Sequence, residues 1–419
     1  MKELVEKLIA ESLEQLKNAS TLPKETSLSF TVERCKDPSH GDFASNVALV
    51  GAKSAHLSPR GLAEKIISAL PKHQLITNIE IAGPGFINFK LADSAHAAIV
   101  AKILSAGDQF GSQIQALPKR ILIEFVSANP TGPLHVGHGR GAAFGSSLAN
   151  LLEFSGHQVH REYYINDAGR QMDILAVSVW FRYLSEVGAP IPFPANGYQG
   201  EYVAEIADQL KQQFGKQFLR SEEEIFKEVT EKDEEKQIDD LIRNAKILLD
   251  RDYQIVFDAG LNTILEDIRT DLAEFRVEYD EWFSERQLSR KGTIEKSIQA
   301  LKESGDISER DGAWWFHSST YGDEKDRVVV RDNGQPTYFA SDLADHQNKI
   351  ERHYDCLINI WGADHHGYIA RVRAGMQALK LNPEALVIKL VQFAILYRGK
   401  EKVPMSTRAG QFVTLRQLR

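Results

Sequence analysis

The sequence predicts an α/β protein with a doubly wound, Rossmann-type parallel sheet, carrying a helical insertion and preceded by a small α+β domain. Three observations lead there. Apolar runs of strand length at 121–126, 158–165, 354–361 and 385–393 alternate with helical patterns. Two of these runs enter Gly-containing turns that open helices, the edge at which such sheets bind ligands. The first hundred residues have another texture, and Gly107-Asp-Gln-Phe-Gly-Ser112 separates them from the rest.

Taken in order, residues 1–108 read as one α+β domain. Leu4, Val5, Leu8, Ile9, Leu13 and Leu16 share one face of an opening helix. A strand-like run at 27–33, a helical stretch at 44–70, a strand pair from about Ile79 to Leu91 and a helix at 92–104 follow. Residues 118–195 and 312–400 form the doubly wound domain. Pro190-Ile-Pro-Phe-Pro-Ala-Asn-Gly197 opens a mainly helical insertion at 196–311, which ends near Gly312-Ala-Trp-Trp-Phe316. Residues 401–419 read as a loop and the start of a further region.

Composition excludes several classes. With 419 residues, 42% hydrophobic and 26% charged, the chain fits two or three globular domains. It has no apolar run of about 18 residues, so no membrane helix is expected. The glutamates of the first helix and the lack of an apolar h-region argue against a signal peptide, and a cytoplasmic location is expected. Cys35 and Cys356 are the only cysteines, which leaves neither a disulfide framework nor a cysteine zinc site. The net charge of −8 is concentrated: residues 221–252 hold 12 acidic and 6 basic side chains. Lys400, Lys402, Arg408, Arg416 and Arg419 face only Glu401, so the basic end is where RNA is expected to approach.

Three constellations carry chemistry. Ser127-Ala-Asn-Pro-Thr-Gly-Pro-Leu-His-Val-Gly-His-Gly-Arg-Gly141 joins a strand to a helix. Helix-start N–H groups bind anions there, and Gly132 and Gly137 admit a ligand to the backbone. His135 and His138 are then phosphate contacts; the alternative, a zinc pair, lacks a third ligand. Trp361-Gly-Ala-Asp-His-His-Gly367 is a second strand-turn-helix edge, able to meet the first over one crevice. Asp364 there can accept from a ribose hydroxyl, while Gly362 admits a base. Its rival is a metallo-phosphoesterase reading of Asp-His-His, which needs further aspartates that the first strand lacks. Third, Tyr338 and Asp342 are four apart and share a helix face, and Glu124 interrupts an apolar strand. Two carboxylates and a tyrosine suit a guanidinium.

These residues together resemble the class I aminoacyl-tRNA synthetases, and within them the bacterial arginyl-tRNA synthetases. His135-Val-Gly-His138 matches the HIGH motif, and Pro404-Met-Ser-Thr-Arg408 occupies the KMSKS position. Asn129, Thr337–Asp342 and Gly362–Gly367 match the arginyl members, and Gly41–Asn46 and Gly83–Asn88 resemble their N-terminal domain. The resemblance implies ATP and Mg²⁺, L-arginine and tRNA(Arg) as substrates and partners; a monomer is expected. It implies that His135, Gly137, His138, Met405, Ser406 and Arg408 serve catalysis, and that Glu124, Asn129, Tyr338, Asp342 and His366 hold arginine. Gly132, Gly362, Asp364 and Lys402 would line the ATP site, and Phe86 and Asn88 would contact the tRNA elbow. Both motif lysines are replaced, by Pro404 and Thr407, so Arg408, Lys402 or Lys400 is expected to supply the charge. The helical anticodon-reading domain of the family is expected to be missing after Arg419. A non-catalytic RNA-binding relative is the alternative.

Overall fold

The computed structural model describes the chain except residues 114, 231–232, 393, 404–407, 409 and 411 and the side chains of His96 and Lys402. It divides into two compact units, Met1–Gly111 and Ser112–Arg419.

In the first unit, α1 (Lys2–Asn18) is followed by β1 (Val32–Arg34), β2 (Phe43–Ser45), α2 (Val47–Gly51) and α3 (Pro59–Ala69). Next come β3 (Ile76–Ala82), β4 (Phe86–Leu91) and α4 (Asp93–Ala106). The sheet is antiparallel, in the order β1-β2-β4-β3. Val5, Ile9, Leu13 and Leu16 of α1 pack with Val47, Leu62, Ile66, Ile87 and Phe89 in its core, which buries the apolar face of the opening helix. The stretch at 44–70, expected to be one helix, is two. Gly51 lies close against Leu28 and Leu62, and Ser58 caps the second helix by accepting from Gly61 N at 3.1 Å, with Pro59 opening it. The strand expected at 27–33 shrinks to three residues at its end.

The second unit begins with β5 (Arg120–Glu124), α5 (Val136–Phe154), β6 (Gln158–Ile165) and α6 (Arg170–Glu186). The insertion contributes α7 (Glu201–Phe214), α8 (Glu222–Ile225), α9 (Glu234–Leu249) and α10 (Asp252–Glu274). After it come β7 (Glu281–Ser284), α11 (Arg286–Arg290), α12 (Thr293–Ser304), β8 (Ile307–Arg310), β9 (Ala313–Phe316) and β10 (Arg327–Val330). The chain ends with α13 (Tyr338–Glu351), β11 (Cys356–Gly362), α14 (Tyr368–Ala378), β12 (Leu386–Val391), the short pair β13 (Tyr397–Arg398) and β14 (Glu401–Lys402), and α15 (Leu415–Leu418).

The main sheet is parallel throughout, in the order β12-β11-β5-β6-β7. The chain moves outward from β5 to β7, then returns to β11 on the other side, so the switch point lies between β5 and β11. Two features depart from the sequence reading. Glu281-Trp-Phe-Ser284, within the stretch read as helical insertion, is the fifth strand: Tyr163 of β6 stacks on Trp282, their ring centroids 4.4 Å apart. And β8, β9 and β10 form a separate antiparallel sheet, which a helix-strand alternation gives no reason to expect.

Alternate residues of β5 serve opposite layers. Ile121, Ile123 and Phe125 belong to the core that includes Ala142 and Ala149 of α5, whereas Leu122 packs with Val372 and Met376 of α14. Helix α5 approaches closely because Gly145 has no Cβ; one built there would lie 2.3 Å from the Phe125 ring. No helix among the described residues is long and apolar enough to cross a membrane.

Candidate functional site

The turn leaving β5 is strained. Val126 and Ser127 take φ of +68° and +39°, a region a β-branched residue rarely adopts. Two tyrosine hydroxyls hold it: the half-buried Tyr279 donates to the Phe125 carbonyl at 3.1 Å and the buried Tyr163 to the Ala128 carbonyl at 3.0 Å. Ser127 Oγ accepts from Tyr164 N at 3.1 Å.

Beyond it, His135 is the N-cap of α5. Its Nδ1 accepts from Gly137 N at 3.1 Å, and His138 Nδ1 accepts from His135 N at 3.2 Å. The rings stack with centroids 3.7 Å apart. An Nδ1 that accepts cannot carry the proton, so each neutral ring exposes an Nε2–H donor. Burial holds His135 below the ordinary range, and burial with its neighbour pushes His138 down to about 3. At neutral pH the pair is therefore two aligned hydrogen-bond donors beside the free N–H groups of a helix start, suited to anionic oxygens. Zinc coordination through the Nδ1 atoms would break the cap. Gly132 and Gly137 lie in the same loop and first turn.

Because β5 and β11 are neighbours, paired from Ile121↔Cys356 to Glu124↔Asn359, their two turns leave the same edge. Gly362 ends β11, and Asp364 and His366 are exposed on the single turn that precedes α14. His365 lies 3.5 Å from Asp364. On the α13 side, Thr337 is the N-cap, so Tyr338 and Asp342 do share a face. Tyr338 is exposed. Asp342 accepts from the Tyr368 hydroxyl, and burial pushes its carboxyl up to about 6. Asn129 is exposed and donates to Gln171 Oε1 at 2.8 Å. Glu285, 6% exposed, adds a third carboxyl near Asp342; burial raises it to about 7.

Glu124 differs from its sequence reading, in which its cation was a ligand. Its carboxylate accepts from Lys349, a fully buried lysine of the chain itself. The basic end also departs from expectation. Arg416 pairs with Asp267 and Asp271, at 2.7 and 2.8 Å, and Arg419 pairs with Glu274. Two of the five cations expected to meet RNA are thus neutralised by α10.

Leu415 N donates to the Leu134 carbonyl at 2.7 Å, next to a bridge between Thr414 and His135. Arg408 accepts through its carbonyl from Gln199 N at 3.0 Å, with its guanidinium 5.9 Å from the Tyr198 ring. Met405, Ser406 and the Lys402 side chain lie outside the described residues. In the first unit Phe86 is 40% exposed while Asn88 is 8% exposed, lining a small cleft with Ser39, His40, Glu80 and Lys90. Sequence reasoning missed Lys349, Tyr163, Tyr279 and Tyr368. Only Lys349 had a signal, standing four residues after Asp345 and seven after Asp342 on one helix.

The family model for class I (R) tRNA synthetase catalytic domains matches residues 99–419, and that for arginyl tRNA synthetase N-terminal domains matches residues 3–91. The chain belongs to the arginyl-tRNA synthetase family. Arginine–tRNA ligase of Thioalkalivibrio sulfidiphilus is 53% identical over the whole chain, which covers 72% of that relative. The ligase of Hydrogenovibrio crunogenus is 52% identical, with 73% of its length covered. A crystal structure assigned as an arginyl-tRNA synthetase from Campylobacter jejuni superposes with a TM-score of 0.65 at 32% identity, covering 78% of this chain and 66% of that one. The Thermus thermophilus arginyl-tRNA synthetase shares the fold, with a TM-score of 0.55 at 20% identity over 94% of this chain and 66% of that one. The synthetase fold thus places the class I signature turn at the switch point of its parallel sheet.

Proposed function

We propose that this synthetase activates L-arginine with ATP and transfers it to the 3′ end of tRNA(Arg). The observation that carries the reading is the pairing, at one sheet edge, of a neutral histidine pair on a helix start with a cluster of carboxyls, Glu124, Asp342 and Glu285. The arginine carboxylate attacks the α-phosphorus; the P–O bond to pyrophosphate breaks as arginyl-adenylate forms. The terminal adenosine hydroxyl of tRNA then displaces AMP. No side-chain nucleophile is needed, so positioning and stabilisation of phosphate charge carry the rate. His135 and His138 donate to phosphate oxygens through Nε2, and Gly132 and Gly137 leave room for the nucleotide. Mg²⁺ enters as part of the nucleotide substrate. Asp342 and Tyr338 receive the guanidinium, with Glu124, Asn129 and His366 around the amino acid and Gly362 and Asp364 beside the adenosine. Arg408, Lys402 and the stretch around Met405 and Ser406 serve the triphosphate.

Phe86 and Asn88 contact tRNA from the N-terminal unit; the enzyme works in the cytoplasm as a monomer. The test is arginine-dependent ATP–pyrophosphate exchange with tRNA(Arg) present. Wild type should exchange, and His138→Ala should lower kcat by about 10²-fold with little change in arginine affinity, since that donor acts on charge developing in the transition state. Binding of tRNA without any exchange would identify a non-catalytic relative instead.

A further inference from the structure

Strand register sets three glutamates side by side. Glu124 of β5 pairs with Glu162 of β6, which pairs with Glu281 of β7. Asn359 of β11 extends the row beyond Glu124. Like charges directly opposite one another destabilise a sheet, and Glu162 is fully buried. Helix α13 supplies the compensation from one face. Arg352 donates to Glu162 and to Glu281, each at 2.6 Å, and so also bridges a carboxylate pair that with His160 could otherwise hold a metal. Lys349 donates to Asp345 at 2.6 Å and to Glu124, and lies 3.4 Å from Glu162. Lys349 thus donates to two carboxylates and lies within ion-pair distance of a third inside the protein.

Glu124 stands apart from the other members. It ends β5 at the switch point, and its side chain retains 12% exposure where that of Glu162 has none. Packing alone would be served as well by a glutamine there, or by an apolar residue with no lysine. We propose that Lys349 is a positioning residue for the arginine pocket: it fixes one oxygen of Glu124 and keeps that carboxylate ionised, leaving the other oxygen for the cationic substrate. The inference rests on the reading of this site as the arginine pocket.

A buried carboxyl left alone takes up a proton. At Glu124 burial pulls in that direction, but the attraction of Lys349 prevails and holds it below the usual carboxylate range. Asp342, which Lys349 does not touch directly, is raised. The other groups facing Glu124 cannot replace the ammonium. His346 donates from Nδ1 to the Asp342 carbonyl at 2.8 Å and its Nε2 accepts from Asn359 at 3.1 Å, and burial keeps it neutral down to about 4. Ser127 offers one hydrogen bond, Tyr164 and Tyr279 are neutral, and Asp342, Asp345 and Glu162 repel. Arg352 is committed to Glu162 and Glu281.

The test is a mutant cycle in arginine binding, read by calorimetry on the full chain from about pH 6 to 9, a window above ordinary carboxyl titration. Lys349→Met should weaken arginine at least about tenfold at neutral pH and regain affinity toward pH 9, while ATP affinity moves less than about threefold. Added to Glu124→Gln, Lys349→Met should change arginine affinity no further, and the pH dependence that Lys349→Met introduces should vanish, leaving only the step of Asp342 near 6. A lysine that served only packing would act independently of Glu124 and add no pH dependence to the Asp342 step, and that result overturns the proposal. Should Lys349→Met not fold, Lys349→Arg runs the same cycle, where coupling to Glu124 supports the proposal and independence overturns it. A wild type that binds no arginine, with Glu124→Gln equally silent, overturns the pocket reading itself, and the positioning role with it.

Discussion

Asp342 ties a single side chain to a pH profile. Its carboxyl is raised to about 6, so it is protonated below that value and ionised above it. A guanidinium pairs with the ionised form. Arginine affinity should therefore rise as pH increases through about 6, then level off. Asp342→Asn removes the charge at constant shape and should cost about 2–4 kcal/mol of arginine binding, with the pH step lost. Calorimetry at three pH values checks both, and citrulline, neutral and of similar shape, should bind wild type poorly. Equal affinities for citrulline and arginine would remove the carboxylate pocket. The histidine pair teaches the complementary point at this scale. Its chemistry was legible as two imidazoles at a helix entry, but not its protonation, which depends on which backbone N–H groups the rings receive.

At the scale of elements, α5 shows how one helix can hold two glycines with opposite roles. Alanine usually gains up to about 1 kcal/mol over glycine inside a helix. At Gly141 nothing lies within 4 Å of an added Cβ, so Gly141→Ala should be neutral or stabilising. At Gly145 the Phe125 ring sits 2.3 Å away and is itself fully buried, so overpacking of about 1–3 kcal/mol should outweigh the gain. Thermal melts of the two variants should move apart. The same scale explains what the sequence could convey. β5, β11 and β12 were readable within a few residues because each is largely apolar and bounded by turns, and β6 to its ends because its valine, tyrosines and isoleucine favour a strand despite Arg161 and Glu162. β7 was not, since Glu281-Trp-Phe-Ser284 is only four residues long and follows a long helical run; its place comes from pairing with β6. Lys349 was hidden likewise, because its partners lie on strands far away in the chain. The strain at Val126 leaves no trace in residue type, since valine would be the last choice for such a backbone.

For the whole molecule, each unit owns a core, and the structure divides after Gly111. Leu117 nearby is 88% exposed. Limited proteolysis should cut first between Gly107 and Pro118, leaving two fragments that each melt cooperatively. Early cleavage inside α9 or α10 instead would show that the insertion is the weaker part. Charge, by contrast, was only partly readable at this scale. Counting basic residues at the end of the chain suggested a surface for RNA, but α10 brings Asp267, Asp271 and Glu274 to meet two of them, and no count along the chain reveals such a meeting.

The row of glutamates beneath α13 also constrains how this enzyme can diverge. Loss of Lys349 or Arg352 takes a partner from the fully buried Glu162, and loss of Glu162 takes one from the fully buried Lys349, whereas a joint exchange for uncharged residues need not strand a charge; Glu281, with a side chain 36% exposed, is less constrained. The order of substitution therefore matters as much as its content: the positions form an epistatic block, inherited as a set or replaced as one. Single exchanges at the exposed positions of the same strands carry no such constraint, so variants of this layer are expected to be tolerated in pairs before they are tolerated singly.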